Sequence, residues 1–174
     1  MTRATRARGA LARQVAVATL AAVVVMVAGG FATILGPWYE ALRKPAWQPP
    51  GWVFGPAWTM ISILTVIAAV LAWRRAETLA MRRWLVVAFA LNGGLNFLWS
   101  VLFFTLRRPD WALVEVVFLW LSILSLVILC GRLSRLSGVL LLPYLLWVSF
   151  AAFLNWTIVG LNAPFAVLFR SLNA

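Results

Sequence analysis

The stretch "QVAVATLAAVVVMVAGGFATILG" (Gln14–Gly36) carries no charge and is long enough to cross a bilayer as a helix. Arg3, Arg6, Arg8 and Arg13 precede it, as basic residues precede the core of a secretory signal. The run outlasts the roughly 7–15 residues of such a core, so it reads as a retained spanning helix.

The same pattern recurs outward from this stretch. Apolar runs of spanning length lie at about 14–36, 53–73, 84–106, 111–131 and 138–160. They lack the period-2 alternation of barrel strands, and each exceeds the ~9–11 residues such a strand needs. Backbone groups in hydrocarbon must pair within their own segment, so each run is a helix. The chain is therefore expected to be an all-α integral, multi-pass membrane protein: a five-transmembrane-helix bundle forming one domain over residues 1–174, with one long loop at about 37–52. Connections two to four are short, which makes successive helices antiparallel neighbours.

Composition agrees. The chain is 64% hydrophobic, too much for a soluble domain of 174 residues to hide. Its net charge of +11 comes from fifteen bases against four acids. The bases cluster at the ends of apolar runs, where they snorkel to headgroups and set topology, so the lipid bilayer and not nucleic acid is the expected partner. Arg3, Arg6, Arg8, Arg13, Arg74, Arg75, Arg82, Arg83, Arg132 and Arg135 share the N-terminal side. Arg43, Lys44, Arg107, Arg108 and Arg170 lie on the other. This bias predicts a cytoplasmic N-terminus.

A single cysteine, Cys130, and the absence of histidine exclude an intrachain disulfide, a histidine-ligated haem and a typical zinc site. No metal is expected. No hydrolytic triad, phosphate loop or paired carboxylate appears, so conventional acid–base catalysis has no residues to act through.

What remains is aromatic rings, amides and hydroxyls. The segment "KPAWQPPGWVFGPAW" (Lys44–Trp58) holds four of the eight prolines and three of the eleven tryptophans. Pro45, Pro49 and Pro50 fix φ and remove amide donors, whereas Pro56 falls in the first turn of the second helix, where a missing N–H costs little. Trp38, Trp47 and Trp52 read either as an interfacial aromatic belt or, with Trp58, as a lid over a flat ligand. In the third helix, Asn92, Asn96 and Trp99 share one face, and amides in a bilayer must point into the bundle. Ala90 and Gly94 form a small-xxx-small pair, with Gly93 beside it, suited to close packing inside the bundle or to a homodimer face. In the fifth helix, Tyr144, Trp147, Ala151 and Asn155 form one polar-aromatic stripe, and Pro143 is expected to bend or loosen that helix near its start. Glu115 is expected to reach the interface or to pair with Arg107 or Arg108, with proton coupling as the less favoured alternative. Arg43 and Lys44, beside the lid, either snorkel or attract a ligand carboxylate.

Taken together, "WYEALRKPAWQPPGWVFGPAW" (Trp38–Trp58), "ALNGGLNFLWSVLFF" (Ala90–Phe104), "RRPDWALVEVVFLW" (Arg107–Trp120) and "PYLLWVSFAAFLNWTIVGLN" (Pro143–Asn162) resemble the TspO/MBR family of tryptophan-rich sensory and translocator (peripheral benzodiazepine receptor) proteins. The resemblance implies a five-helix protein, often dimeric, that binds porphyrins of the protoporphyrin IX type and other hydrophobic ligands in a pocket under the first loop. It places pocket contacts at Trp58, Asn92, Trp147, Ala151 and Leu154. It implies no required cofactor, porphyrin being a ligand, and a bacterial membrane, inner or outer, as the setting. Two departures stand out. No base lies between Tyr144 and Arg170, so the family's sterol motif is missing, and Arg107 replaces a frequent histidine.

The leading function is a membrane receptor or sensor that binds porphyrins and regulates tetrapyrrole metabolism or stress. A transporter of porphyrin or another lipophile is the alternative. Light-dependent porphyrin degradation by Trp58 and Trp147 is the enzymatic reading.

Overall fold

The computed structural model describes residues 3–162 and residue 165; Arg170, counted above on the C-terminal side, lies outside them. Among the described residues there are helices and no strands. The helices are α1 (Arg3–Ala32), the short α2 (Pro37–Ala41), a single 3-10 turn (Gly51–Val53), α3 (Phe54–Arg75), α4 (Leu79–Ser100) continued by a π turn (Val101–Thr105), α5 (Pro109–Leu133) and α6 (Arg135–Leu161). Five of them, α1, α3, α4, α5 and α6, are long and apolar enough to cross a membrane. The chain is an integral, multi-pass membrane protein.

Helix ends follow local chemistry that hydropathy does not register. α1 begins well ahead of residue 14 because Ala and Arg favour helix regardless of polarity. The Thr78 hydroxyl caps α4 by accepting from the Met81 amide at 3.1 Å. α5 opens with Pro109 at its first position and with Asp110, which suits the positive end of the helix. At the far end of α4, the Leu106 amide donates to the Val101 carbonyl five residues back, at 2.8 Å. The chain then reverses through Arg107, at φ 55°. The Thr105 hydroxyl donates to the Ala32 carbonyl at 3.0 Å, tying the end of α1 to this turn. α6 continues as helix through Pro143.

The spanning helices form a ring in the order α1, α3, α6, α5, α4 and back to α1. The expectation that successive helices are neighbours holds for α4–α5 and α5–α6 but not for α3–α4. These two scarcely touch although only Ala76–Thr78 joins them. α1 packs against both and fills the seam between them. On the opposite side α5 and α6 meet backbone to backbone. A Cβ on Gly138 would lie 2.9 Å from the Gly131 Cα and 3.0 Å from the Val127 carbonyl oxygen. The largest fully buried side chains, Ile123, Leu126, Leu141 and Ile158, all belong to α5 and α6. The core is therefore displaced toward that pair, and open space remains under α1.

Candidate functional site

That space is a cavity of about 1300 Å³ bounded by all five spanning helices. Trp58 reaches it from the second turn of α3, Asn92, Asn96 and Trp99 from one face of α4, and Tyr144, Trp147 and Ala151 from one face of α6. Helical periodicity brings these groups together, as the sequence leads one to expect.

The rings are arranged edge to face. Trp58 meets Tyr144 with centroids 5.9 Å apart and planes at 70°. Phe54 meets Trp147 at 5.6 Å and 72°. Such packing fixes the rings and leaves other ring faces for a flat guest. Behind them the amides are satisfied between helices. Asn92 Nδ2 donates to Ser122 Oγ at 2.8 Å, and that hydroxyl donates to the Leu119 carbonyl at 2.7 Å. Asn96 Nδ2 donates to the Tyr144 hydroxyl at 3.1 Å. The Trp99 indole N–H is buried and has no partner among the described residues. A wall of this kind offers apolar faces with a few fixed polar atoms, as small-molecule sites do.

The lid contributes differently from expectation. Trp38, Trp47 and Trp52 do not line the cavity. Trp38 packs edge-on against Phe103 at 6.3 Å. Trp47 stacks on Phe153 at 5.1 Å with planes 17° apart. Trp52 is 74% exposed. The lid residues that do line the cavity are Tyr39 and Gly51, with Phe54 beside them at the start of α3. Gln48 Nε2 donates to the Tyr39 hydroxyl at 3.4 Å, and the Lys44 ammonium lies 4.1 Å from the centre of the Tyr39 ring. Lys44 is thus one ring away from the cavity. Arg43 is held through its backbone: its amide donates to Asn162 Oδ1 at 2.9 Å, and Asn162 Nδ2 donates back to the Arg43 carbonyl at 2.9 Å.

Other candidates fall elsewhere. Leu154 is buried with Leu42, Ala112 and Ile158 beneath the lid, off the cavity wall. Asn155, expected on the polar stripe, is fully buried. With its amide oriented to satisfy both atoms, Asn155 donates to the Pro109 carbonyl at 3.0 Å and accepts from the Leu113 amide at 3.1 Å, fastening α6 to the first turn of α5. Glu115 pairs with neither Arg107 nor Arg108. Arg108 instead binds Asp110, with Nε 2.8 Å from Oδ1. Only Pro109 separates that pair, whereas Glu115 lies more than a turn deeper, buried and without a hydrogen-bond partner among the described residues. Ala90 and Gly94 line the cavity beside α1, and a Cβ on Gly93 would lie 2.9 Å from Val25 Cγ2. Gly93 thus serves the approach of α1 within the chain, whereas a Cβ on Gly94 would meet nothing within 4 Å.

Sequence reasoning missed the wall that α1 supplies. Its signal was present: Ala18, Ala21, Ala22, Val25 and Gly29 recur at helical spacing and all line the cavity.

The TspO/MBR family model matches residues 16–161. The chain is 42% identical to the tryptophan-rich protein TspO of Chlorobaculum tepidum, over 72% of this chain and 79% of that one. It is 35% identical to the tryptophan-rich sensory protein of Cereibacter sphaeroides, over 72% and 77% of the two chains. It is 33% identical to the human translocator protein, over 70% and 72%. With the match spanning every helix that encloses the cavity, the chain belongs to the TspO/MBR family.

Proposed function

We propose that this protein is a membrane receptor, a sensor whose cavity takes a flat, hydrophobic ligand of the porphyrin type between α3, α4 and α6. One observation carries the reading: Trp58 and Trp147, from helices distant in sequence, line the same cavity as the amides of Asn92 and Asn96. Indole faces stack on a macrocycle, and the amides and the Tyr144 hydroxyl supply the few polar contacts that orient it. The name of the Cereibacter sphaeroides relative, a sensory protein, supports the same reading. Coupled transport finds less support. Among the described residues the buried acids are Asp110, which is paired, and Glu115, so no chain of coupling charges crosses the bundle. The same two tryptophans would be the oxidisable groups if bound porphyrin is broken down in light.

The test is a titration of purified protein with protoporphyrin IX, followed by tryptophan quenching. Trp58→Phe and Trp147→Phe each keep a smaller ring and are expected to weaken binding about threefold, as partial loss of an aromatic contact worth ~0.5–1.5 kcal/mol implies. Unchanged affinity in both would sink the assignment. Illumination of the complex then separates binder from degrader by the presence of a new absorbing product.

A further inference from the structure

The cavity is longer than a flat ring requires. Its α1 wall runs from Arg13 to Gly30, about 25 Å at ~1.5 Å per residue, most of the thickness of a bilayer core. Trp58, Trp99 and Trp147 and the amides of Asn92 and Asn96 occupy the half near the lid. The other half, between α1, α3 and α4, is an apolar slot lined by Val17, Val70, Leu85 and Phe89, and it ends at Arg13, Gln14 and Arg82.

This end has two properties of a built site. Arg82 is positioned: its Nε donates to the Ala76 carbonyl at 3.2 Å, and its guanidinium carbon lies 5.4 Å from the centre of the Trp73 ring. Its terminal nitrogens have no hydrogen-bond partner among the described residues. Among the described residues neither Arg82 nor Arg13 has a salt-bridge partner, and neither does Glu77, the one acid of the adjoining loop. With Arg74, Arg75 and Arg83 close in sequence, the mouth is strongly positive. The slot also opens sideways: Val17, 63% exposed, and Val86, 55% exposed, line it while facing out of the bundle. What reaches such an opening in a bilayer is lipid.

We propose that the half of the cavity remote from the lid is a second binding site, which takes one acyl chain of an anionic phospholipid from the surrounding membrane and holds its phosphate at Arg13 and Arg82. The long slot matches an extended chain, and the unpaired guanidinium at its mouth matches a phosphate. The site is separate from the ring-binding half and does not depend on what binds there.

The experiment is native mass spectrometry of the full chain released from nanodiscs containing equal phosphatidylglycerol and phosphatidylcholine. One phosphatidylglycerol is expected to be retained in preference to phosphatidylcholine. Arg13→Gln and Arg82→Gln should each reduce that preference about fivefold, the effect of one arginine at an anionic surface. Ala21→Trp, which fills the slot, should abolish retention, whereas Leu20→Trp on the adjacent lipid-facing surface should not. Inorganic phosphate should not displace the lipid. Arg13 is exposed and outside any packed cluster, so Arg13→Gln tests the site even if Arg82→Gln weakens the fold. Equal retention of the two lipids, a preference untouched in Arg13→Gln, or displacement by inorganic phosphate would each overturn the proposal. Trp58→Phe and Trp147→Phe should leave lipid retention unchanged.

Discussion

The two sides of the bundle are packed on different principles. Along α5, a third of the apolar window (33%) is buried inside the protein; along α1 the share is 11%. α5 and α6 close on each other until the Gly131 and Gly138 backbones meet, while α1 rests on α3 and α4 and leaves a cavity beneath it. In lipid there is no hydrophobic force pressing helices together, so close packing and hydrogen bonds decide which pairs are tight. The tight pair is a frame, and the loose helix is the wall that makes room for a ligand.

Substitutions can break that contrast in a graded way. Gly138→Ala places a Cβ against backbone that cannot yield, and a loss of about 3 kcal/mol is expected, read as a lower thermal midpoint in detergent. Asn155→Leu removes the two bonds that fasten α6 to α5, with an expected loss of about 2 kcal/mol in the same measurement. On the loose side the sign reverses. Gly94→Ala meets nothing within 4 Å, so the better helix former should raise stability by about 0.5–1 kcal/mol. Destabilisation there as large as at Gly138 would mean that α1 packs as tightly as α6. The smallest effect belongs to Arg107, whose positive φ penalises a side chain. Arg107→Gly should gain a few tenths of a kcal/mol, relief of strain being partly offset by a more flexible unfolded chain.

The spanning helices were legible because bilayer thickness imposes a length on each apolar run. Asn92, Asn96, Tyr144, Trp147 and Ala151 were legible as cavity groups because helical periodicity puts them on inward faces, and Trp58 because the second helix carries it there. Ring order was not legible: it depends on a glycine contact between α5 and α6 and on α1 filling the α3–α4 seam. Nor were the directions of Trp38, Trp47 and Trp52. Prolines in the lid destroy the periodicity that would assign them a face, so which rings turn inward is settled by Phe103, Phe150 and Phe153. Asn155 misled for a related reason, since its stripe was right but its partners, a carbonyl and an amide of α5, carry no side-chain signature.

The reciprocal bonds between Arg43 and Asn162 join positions 119 residues apart. They act as a clasp that converts everything from α3 to α6 into one closed circuit of chain. Lifting the lid at Arg43 then cannot be a private motion of the loop, because the last turn of α6 must release in the same event. Amide exchange at Arg43 should therefore share the opening rate of the α6 terminus, and Asn162→Ala should uncouple the two.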